Sequence, residues 1–257
     1  MKNTAAVSRY IRTSEIAKAV GVHPNTVRLY EELGFLQTVP RSIKGYRLYT
    51  KEHLEQMRLA RIAMRCEFVE GNIRKRAASV VRTAAKGDLK EALQMAYGYL
   101  AHIRNERSKA EEALELSQKW ISGEFPADSG VYYKRTDVAR LLEVSIDVLR
   151  NWERNGLVNI PRSVNNYRAY GPVEISRLKI IRTLRAANYS MMAILRMMKY
   201  IDTGKKGDMR GVLNTPLPEE DVVGAADRWI SALTETEEDA KEVILQLEKM
   251  IKINMEI

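Results

Sequence analysis

Apolar residues near the start of the chain recur at helical spacing and predict two helices joined by a turn. The first helix carries a stripe of apolar residues three and four positions apart: Ile16, Ala17 and Val20. Gly21 breaks this helix, and Pro24 suits the first turn of the next, where a missing N–H leaves no helical bond unmade. The second helix should turn Val27, Leu33 and Leu36 inward and expose its other side: Asn25, Thr26, Arg28 and Tyr30. This pattern is typical of a helix-turn-helix.

The residues after the second predicted helix change from helical spacing to a strand-like composition. Gly34 should end the helix, and β-branched and aromatic residues then surround a Lys44–Gly45 turn. A glycine there can take the positive φ that a tight hairpin requires. We therefore expect residues 35–49 to form a short β-hairpin, which would stand beside the helix-turn-helix as a wing.

The same pattern occurs twice in the chain. The segment Ile16–Tyr49 recurs as Val138–Tyr170. Within it, Val27-Arg28-Leu29-Tyr30-Glu31 corresponds to Leu149-Arg150-Asn151-Trp152-Glu153, and residues 40–49 correspond to residues 161–170. A repeat of this length governs the architecture, because each copy is a structural unit of its own. The chain should therefore contain two helix-turn-helix heads.

Each head is followed by a segment whose apolar residues alternate by four and three positions. In the first half this seam comprises Leu89, Leu93, Ala96, Leu100, Ile103, Arg107, Ala110, Leu114, Ser117 and Ile121. In the second half it comprises Val223, Ala226, Ile230, Leu233, Glu237, Ala240, Ile244, Leu247 and Ile251. Such spacing is typical of the seam of a left-handed coiled coil. At 1.5 Å per residue, each predicted helix would extend roughly 50 Å.

Basic charge is concentrated in the two heads. Residues 8–86 contain 16 Lys and Arg against 7 Asp and Glu, and residues 131–200 contain 13 against 5. The segments that follow them, 87–125 and 201–257, carry more acidic than basic residues. Two basic regions at equivalent places in a repeat favour contact with a polyanion over one solvated basic surface.

Composition disfavours several classes of protein. No run of about 18 apolar residues is present for a membrane span, and the first residues lack an apolar stretch of signal-peptide length, so we expect a cytoplasmic protein without membrane contact. The single cysteine, Cys66, precludes an intrachain disulfide and a multi-thiolate metal site. The histidines, His23, His53 and His102, have no metal or triad spacing. We expect no enzymatic activity, cofactor or metal.

The motif residues resemble those of the mercury-resistance-regulator (MerR) family of winged-helix transcription factors. In the first head the resemblance rests on Thr26-Val27-Arg28-Leu29-Tyr30-Glu31, Gly34-Phe35-Leu36, Arg41 and Gly45-Tyr46-Arg47-Leu48-Tyr49, whose order and spacing both fit. In the second head it rests on Leu149-Arg150-Asn151-Trp152-Glu153, Gly156-Leu157-Val158 and Tyr167-Arg168-Ala169-Tyr170. The family implies binding to double-stranded DNA.

Pattern and resemblance together predict DNA-contacting residues in both heads. In the first head these are Asn25, Thr26, Arg28, Tyr30, Arg41, Lys44, Tyr46 and Arg47. In the second head they are Asp147, Arg150, Trp152, Arg162, Tyr167 and Arg168. The helix residues would enter the major groove, and the wing residues would contact phosphates and sugars.

The second head departs from the family pattern at three positions. Asn166 stands at the wing glycine, Trp152 at a usual tyrosine and Asp147 at the front of the helix. Asparagine tolerates positive φ, so we expect the turn to survive. The Asp147 carboxylate would repel phosphates unless it accepts a hydrogen bond from a cytosine amino group or caps the helix. We therefore expect the first head to supply more of the base recognition, on an asymmetric operator.

In the resembled family the long helix pairs antiparallel with that of a second chain, whereas this chain holds two such helices. Arg107 and Glu237 interrupt the two seams at matching positions and would meet if the helices paired within the chain. Pairing between two chains would instead place like charges together, which is unfavourable. We predict a monomeric pseudo-dimer rather than a homodimer. The alternative is that both side chains reach solvent and select no partner.

The predicted fold is mainly α. Two winged helix-turn-helix heads, each with a small β-hairpin, are each followed by a long helix, and the two long helices pair as an antiparallel coiled coil. The predicted segments are a first head at 8–86, a first long helix at 87–121, a linker at 122–130, a second head at 131–204 and a second long helix at 217–255.

The resemblance implies a transcription regulator that binds a promoter and bends and untwists it, so that RNA polymerase can engage. Two other functions are compatible with the sequence. One is an architectural or excisionase-like protein that bends DNA without recruiting polymerase. The other is a protein-binding adaptor whose second head has lost contact with DNA.

Overall fold

The computed structural model describes residues 10–66, 70–123, 131–162, 167–204, 207–216, 218 and 225–255. Within them the chain forms the helices α1 (Thr13–Ala19), α2 (Pro24–Glu32), α3 (Lys51–Ala63), α4 (Ile73–Ala85), α5 (Leu89–Ser122), α6 (Arg135–Leu141), α7 (Ile146–Arg154), α8 (Pro172–Ala186), α9 (Met191–Asp202), α10 (Met209–Asn214) and α11 (Trp229–Met255). Two 3₁₀ turns, Glu70–Asn72 and Ala225–Arg228, complete the helical structure of this part. The expectation of a mainly α protein is confirmed.

The wing segments, residues 40–49 and 161–170, are closed by single bridges rather than by paired strands. Among the residues described, β structure consists of four isolated antiparallel bridges: Ile11–Tyr49, Arg41–Arg47, Tyr133–Tyr170 and Arg162–Arg168. Each wing segment therefore contains one bridge, and a second bridge ties its end to the residues just before α1 or α6. Paired hairpin strands are therefore not seen among the described residues, and the turn of the second wing, residues 163–166, lies outside them.

The described residues belong to two compact units. The first comprises Met1–Arg104 and Glu235–Ile257, and the second comprises Asn105–Thr234. Since both boundaries fall inside long helices, each unit combines one head with a part of α5 and a part of α11.

In the first head, hydrogen bonds to side chains mark the starts of α1 and α2, and a glycine follows the end of α1. The backbone N–H of Arg12 donates to the Glu15 carboxylate at 2.7 Å just before α1. The Nδ1 atom of His23 accepts from the backbone N–H of Asn25 at 3.2 Å, and Pro24 opens α2. Gly21, at φ +66°, follows the end of α1. Positive φ is cheap for glycine, so the chain can leave the helix there.

The core of the first unit lies under the helix-turn-helix. Its largest fully buried side chains come from α1, the wing segment and the helices after it: Ile16, Tyr49, Met57, Leu59, Ile73 and Ile103. Val27 and Leu36 are also buried, as the apolar pattern predicted, but Leu33 is exposed. Leu33 is the C-cap of α2 and lies six positions after Val27, so the helical period of about 3.6 residues turns it away from the buried face.

The segments of α5 and α11 in the first unit run antiparallel. The Tyr97 hydroxyl donates to the Glu248 carboxylate at 3.3 Å, and Arg104 Nε donates to Glu237 at 2.9 Å. The later residue of α5 thus meets the earlier residue of α11. Glu237 is almost fully buried.

The first head is attached to α11 by charged side chains beside α3. Arg65 donates to Asp239 at 2.9 Å and to Glu242 at 2.7 Å. Gln246 and Lys249 donate to Glu55 at 2.7 and 2.8 Å. Burial opposes ionisation of Glu55, but the hydrogen bonds from Lys249 and Gln246, together with the charges of Arg58 and Lys249, lower the pKa of that carboxyl overall. The first head thus packs on the long helix that follows the second head.

In the second unit the head contacts α5 through the turn between α8 and α9. The buried Tyr189 hydroxyl donates to the Ala110 carbonyl at 3.1 Å, and the Asn188 amide donates to Glu106 at 2.8 Å. Burial raises the pKa of Tyr189, so its hydroxyl keeps the proton it donates. The second head thus packs on the long helix that follows the first head.

The second unit contains a short helix that the apolar pattern does not predict. The buried Arg196 of α9 donates to the carbonyls of Val212 at 2.6 Å, Leu213 at 3.1 Å and Asp227 at 2.9 Å. These bonds hold α10 and the 3₁₀ turn Ala225–Arg228 against α9. As a result, α11 begins at Trp229 rather than at residue 217.

Some predictions fall on residues that the structure does not describe. These are residues 124–130 of the predicted linker, Val223 and the Ala226 side chain of the second seam, and the wing residue Asn166. Arg107 and Glu237 are described, but they belong to different units, and their pairing stays a prediction. None of the described helices combines the length and apolar character that crossing a bilayer needs.

Candidate nucleic-acid interface

The outer face of α2 carries an arginine held by its neighbour one turn earlier. Arg28 and Asn25 are both exposed, and Arg28 Nη1 donates to Asn25 Oδ1 at 3.0 Å. Thr26 lies beside them and is partly exposed. The bond leaves the other guanidinium donors of Arg28 free to reach a base edge or a phosphate.

Tyr30 and Trp152 were expected on the outer surface, and that expectation is wrong. Tyr30 is 7% exposed and Trp152 is 4% exposed. Each follows a buried apolar residue, Val27 or Leu149, by three positions, which places both on the inner face of the helix. The Tyr30 ring packs edge-on against Phe35, with centroids 5.4 Å apart. Both aromatic residues therefore belong to the cores of their heads.

The tip of the first wing segment is exposed and basic. Gly45 has φ +79°, and its N–H donates to the Ser42 carbonyl at 2.8 Å, which closes the turn. Around this turn the cationic and aromatic side chains predicted to contact DNA are exposed: Arg41, Lys44 and Tyr46. Cations interleaved with an aromatic ring suit contact with phosphate and sugar.

Glu31 fixes the position of the predicted phosphate ligand Arg47. Arg47 Nε donates to Glu31 at 2.5 Å, the Tyr49 hydroxyl lies 3.5 Å from the same carboxylate oxygen, and Arg41 lies 3.7 Å from the other. The hydrogen bond to Glu31 raises the pKa of Arg47, and burial raises the pKa of Tyr49. Only 23% of the Arg47 side chain is exposed. Arg47 thus joins the wing segment to α2, a role that its sequence motif did not indicate.

The α7 helix of the second head has an acidic residue where α2 has an amide. Asp147 is 85% exposed, and its Oδ1 accepts from Arg150 Nη1 at 2.9 Å. The N-cap of α7 is Ser145, whose hydroxyl accepts from the Val148 N–H at 3.2 Å. Asp147 therefore does not cap the helix, and its carboxylate partly neutralises Arg150.

The second wing segment is fixed by a carboxylate with two arginine partners. Glu153 accepts from Arg168 and from Arg135, the latter at 3.2 Å. Arg135 Nε also donates to the Tyr170 hydroxyl at 3.0 Å, and this bond raises the pKa of Arg135. Tyr167 and Arg162 are exposed on this segment. Sequence reasoning did not single out Glu31, Glu153 or Arg135, although the glutamates stand at matching repeat positions.

A metal site is not formed by the residues described, among which no group of three His, Cys, Asp or Glu side chains converges. Cys66 is buried. The chemistry of both heads is therefore that of exposed cations, amides and aromatic rings on α2, α7 and the wing segments.

Two family models match the chain, one in each head. The model of the MerR family regulatory protein matches residues 12–49, and that of the MerR HTH family regulatory protein matches residues 133–201. No solved structure gives a significant match.

Curated proteins are similar to shorter parts of the chain. The HTH-type transcriptional regulator CueR of Escherichia coli O6:H1 is 40% identical over 55 residues, which are 21% of this chain and 41% of that protein. The CueR of Salmonella typhi is 40% identical over 55 residues, or 21% of this chain and 40% of that protein. The mercuric resistance operon regulatory protein of Bacillus cereus is 32% identical over 75 residues, or 29% of this chain and 57% of that protein. The chain thus spans from two fifths to under three fifths of these relatives.

Proposed function

We propose that the chain is a DNA-binding transcription regulator of the MerR family that uses both of its MerR modules. The observation that carries the proposal is shared by the two heads. Each exposes an arginine on its second helix, Arg28 or Arg150, and each fixes its wing segment to that helix through a glutamate. This arrangement suits a helix in the major groove with a wing on the adjacent backbone.

The residues divide into those that contact DNA and those that position them. Arg28 and Asn25 would read base edges from α2, while Arg41, Lys44 and Tyr46 would contact the backbone from the wing. In the second head Arg150, Arg162 and Tyr167 would have the corresponding roles. Arg47 and Arg168 would position the wings through Glu31 and Glu153 and offer phosphates only their remaining donors.

We further propose that the chain acts as an intramolecular pseudo-dimer. Each unit combines one head with a segment of the long helix that follows the other head, which supports this arrangement. The antiparallel contacts of α5 and α11 in the first unit support coiled-coil pairing of the two helices. Pairing of Arg107 with Glu237 would then favour partners within the chain. Sedimentation at micromolar concentration should give a single-chain mass, and a stable two-chain particle would contradict the proposal.

The DNA-binding function is tested by mapping the bound sites genome-wide and measuring affinity for the site recovered. Arg28→Ala should weaken binding to that site by about tenfold or more, because a good arginine–base contact is worth about 1–3 kcal/mol. Lys18→Ala is the matched control, since Lys18 is an exposed cation of the same head on α1. Equal effects of the two variants would mean that Arg28 reads no base.

The regulatory function requires a separate measurement. Transcription from the recovered promoter with purified RNA polymerase should change on addition of the protein, and the bound DNA should be bent and untwisted. DNA that is bent while transcription is unchanged would instead favour an architectural protein.

A further inference from the structure

An open cleft of about 630 Å³ lies beside α7 in the second head. Its lining combines a glutamate and four arginines with smaller residues: Arg135, Arg150, Glu153, Arg154, Gly156, Val158, Asn159 and Arg168. Four guanidinium groups around one carboxylate leave a clear excess of positive charge. The four arginines come from the start of α6, the last turns of α7 and the wing segment.

The arginines of this cleft differ in how far they are neutralised. Glu153 is shared by Arg135 and Arg168, and Arg150 pairs with Asp147 on the outer face of α7. Arg154 is exposed and makes no ion pair or hydrogen bond through its side chain with the part of the chain that the structure describes. It therefore offers the cleft all its guanidinium donors.

The excess of positive charge is smaller in the first head. By the repeat, Arg150, Glu153 and Arg168 correspond to Arg28, Glu31 and Arg47. The other two arginines have no counterpart: Thr13 stands in place of Arg135, and Glu32 in place of Arg154. The positions equivalent to the cleft lining therefore hold two arginines and two carboxylates in the first head, where Arg41 adds one further cation 3.7 Å from Glu31.

We propose that the cleft of the second head binds a phosphate group, with Arg154 as its main ligand and with Arg150 and Arg135 as additional positive charges. Guanidinium groups bind phosphate oxygens through paired hydrogen bonds, and several around one concavity suit a doubly charged anion. The phosphate belongs either to the DNA backbone or to a free phosphorylated molecule. In the first case the inference rests on the proposed function, and in the second it is independent of it.

The test compares Arg154→Gln with Arg140→Gln in the full chain. Both variants remove one exposed positive charge from the second head, but only Arg154 lines the cleft. One arm measures the affinity for a 30-base-pair duplex of unrelated sequence at several salt concentrations. The other titrates pyrophosphate in a calorimeter. Far-UV circular dichroism and thermal unfolding establish that both variants are folded.

A DNA phosphate in the cleft predicts that Arg154→Gln makes the negative slope of log K against log salt shallower by about 0.9, the value for one lost contact. Arg140→Gln should leave the slope unchanged. A free phosphorylated ligand predicts saturable binding of pyrophosphate that Arg154→Gln abolishes, with the salt slope unaltered. Identical behaviour of the two variants in both arms overturns the proposal. A wild-type chain that binds pyrophosphate but not DNA would support the cleft and contradict the proposed function.

Discussion

The α2 and α7 helices place an arginine at the same register but surround it with different charge. Arg28 is held by the neutral amide of Asn25, whereas Arg150 is held by the carboxylate of Asp147. Both arrangements orient the guanidinium, yet only the first leaves its charge uncompensated. The difference indicates that the repeated scaffold has been kept while the electrostatics of its exposed face diverged.

The interiors of the two heads are more alike than their surfaces. Tyr30 and Trp152 occupy equivalent buried positions, and Glu31 and Glu153 receive equivalent wing arginines. The second head adds Arg135 to that carboxylate, while the first has Thr13 at the same place. If the phosphate cleft operates on DNA, the second head would anchor the backbone while the first reads bases.

Truncation of the buried aromatic residue that the two heads share, Tyr30 or Trp152, should cause the largest loss of stability. Trp152→Ala should destabilise the second head by about 3–5 kcal/mol, because it empties the space of a large aromatic side chain. Tyr30→Ala should cost about 3 kcal/mol for the same reason. Urea unfolding followed by far-UV circular dichroism measures both. Leu29→Ala, at an exposed position of α2, is the control and should stay within about 0.5 kcal/mol. A cost below about 1 kcal/mol for Trp152→Ala would mean that the position tolerates a cavity.

Substitution of the glutamates that fix the wing segments should cost less stability than the core substitutions, and it should cost the second head more than the first. Glu153→Gln should cost about 2 kcal/mol, since two partly buried arginines lose a charged acceptor. Glu31→Gln should cost about 1 kcal/mol, because Arg47 makes the close contact, whereas Arg41 lies 3.7 Å from that carboxylate and is more exposed. The same unfolding measurement applies, with exposed Glu32→Gln as the control. An equal cost in both heads would show that Arg135 contributes nothing to holding the second wing.

Exchanging the acidic and amide residues should alter DNA affinity in opposite directions. Asp147→Asn should tighten binding to duplex DNA about fivefold at low salt, because removing one negative charge near phosphates is worth about 1 kcal/mol. Asn25→Asp should weaken binding by a similar factor. Fluorescence anisotropy with a labelled duplex measures both changes. Weaker binding by Asp147→Asn, confined to one operator, would instead indicate that Asp147 accepts a hydrogen bond from a cytosine amino group.

Local patterns predicted much of the fold because the helices of both heads depend on nearby residues. The apolar spacing, together with Gly21 and Pro24, predicted α1 and α2. The repeat then predicted their equivalents in the second head, α6 and α7. The inward placement of Tyr30 was missed although its spacing of three from Val27 already implied it. The prediction counted Leu33 among the inward residues in place of Tyr30, although the spacing of three from Val27 favours Tyr30.

Contacts between residues far apart in the sequence could not be predicted from local patterns. Glu31 and Arg47 are joined only because the wing segment folds back on α2, and Arg196 meets α10 only once α9 is packed. Arg135 was overlooked because it lies at a position where the two repeats differ. The residues that distinguish the two heads lie where the repeats differ, so the similarity of the repeats does not predict them.

Substitutions in the turn of the first wing segment should have the smallest effect, and they test whether the two wings share one turn geometry. Gly45 has φ +79°, where alanine costs about 1 kcal/mol and asparagine costs less because its side chain bonds locally. Gly45→Ala should therefore speed hydrogen exchange of the Leu48 amide, which donates to the Pro40 carbonyl at 2.9 Å, by about fivefold. Gly45→Asn copies the residue of the second head, Asn166, and should speed it by about twofold. If Gly45→Asn opened the turn as much as Gly45→Ala, the two wings could not share one turn geometry, and their phosphate contacts would have to be assigned separately.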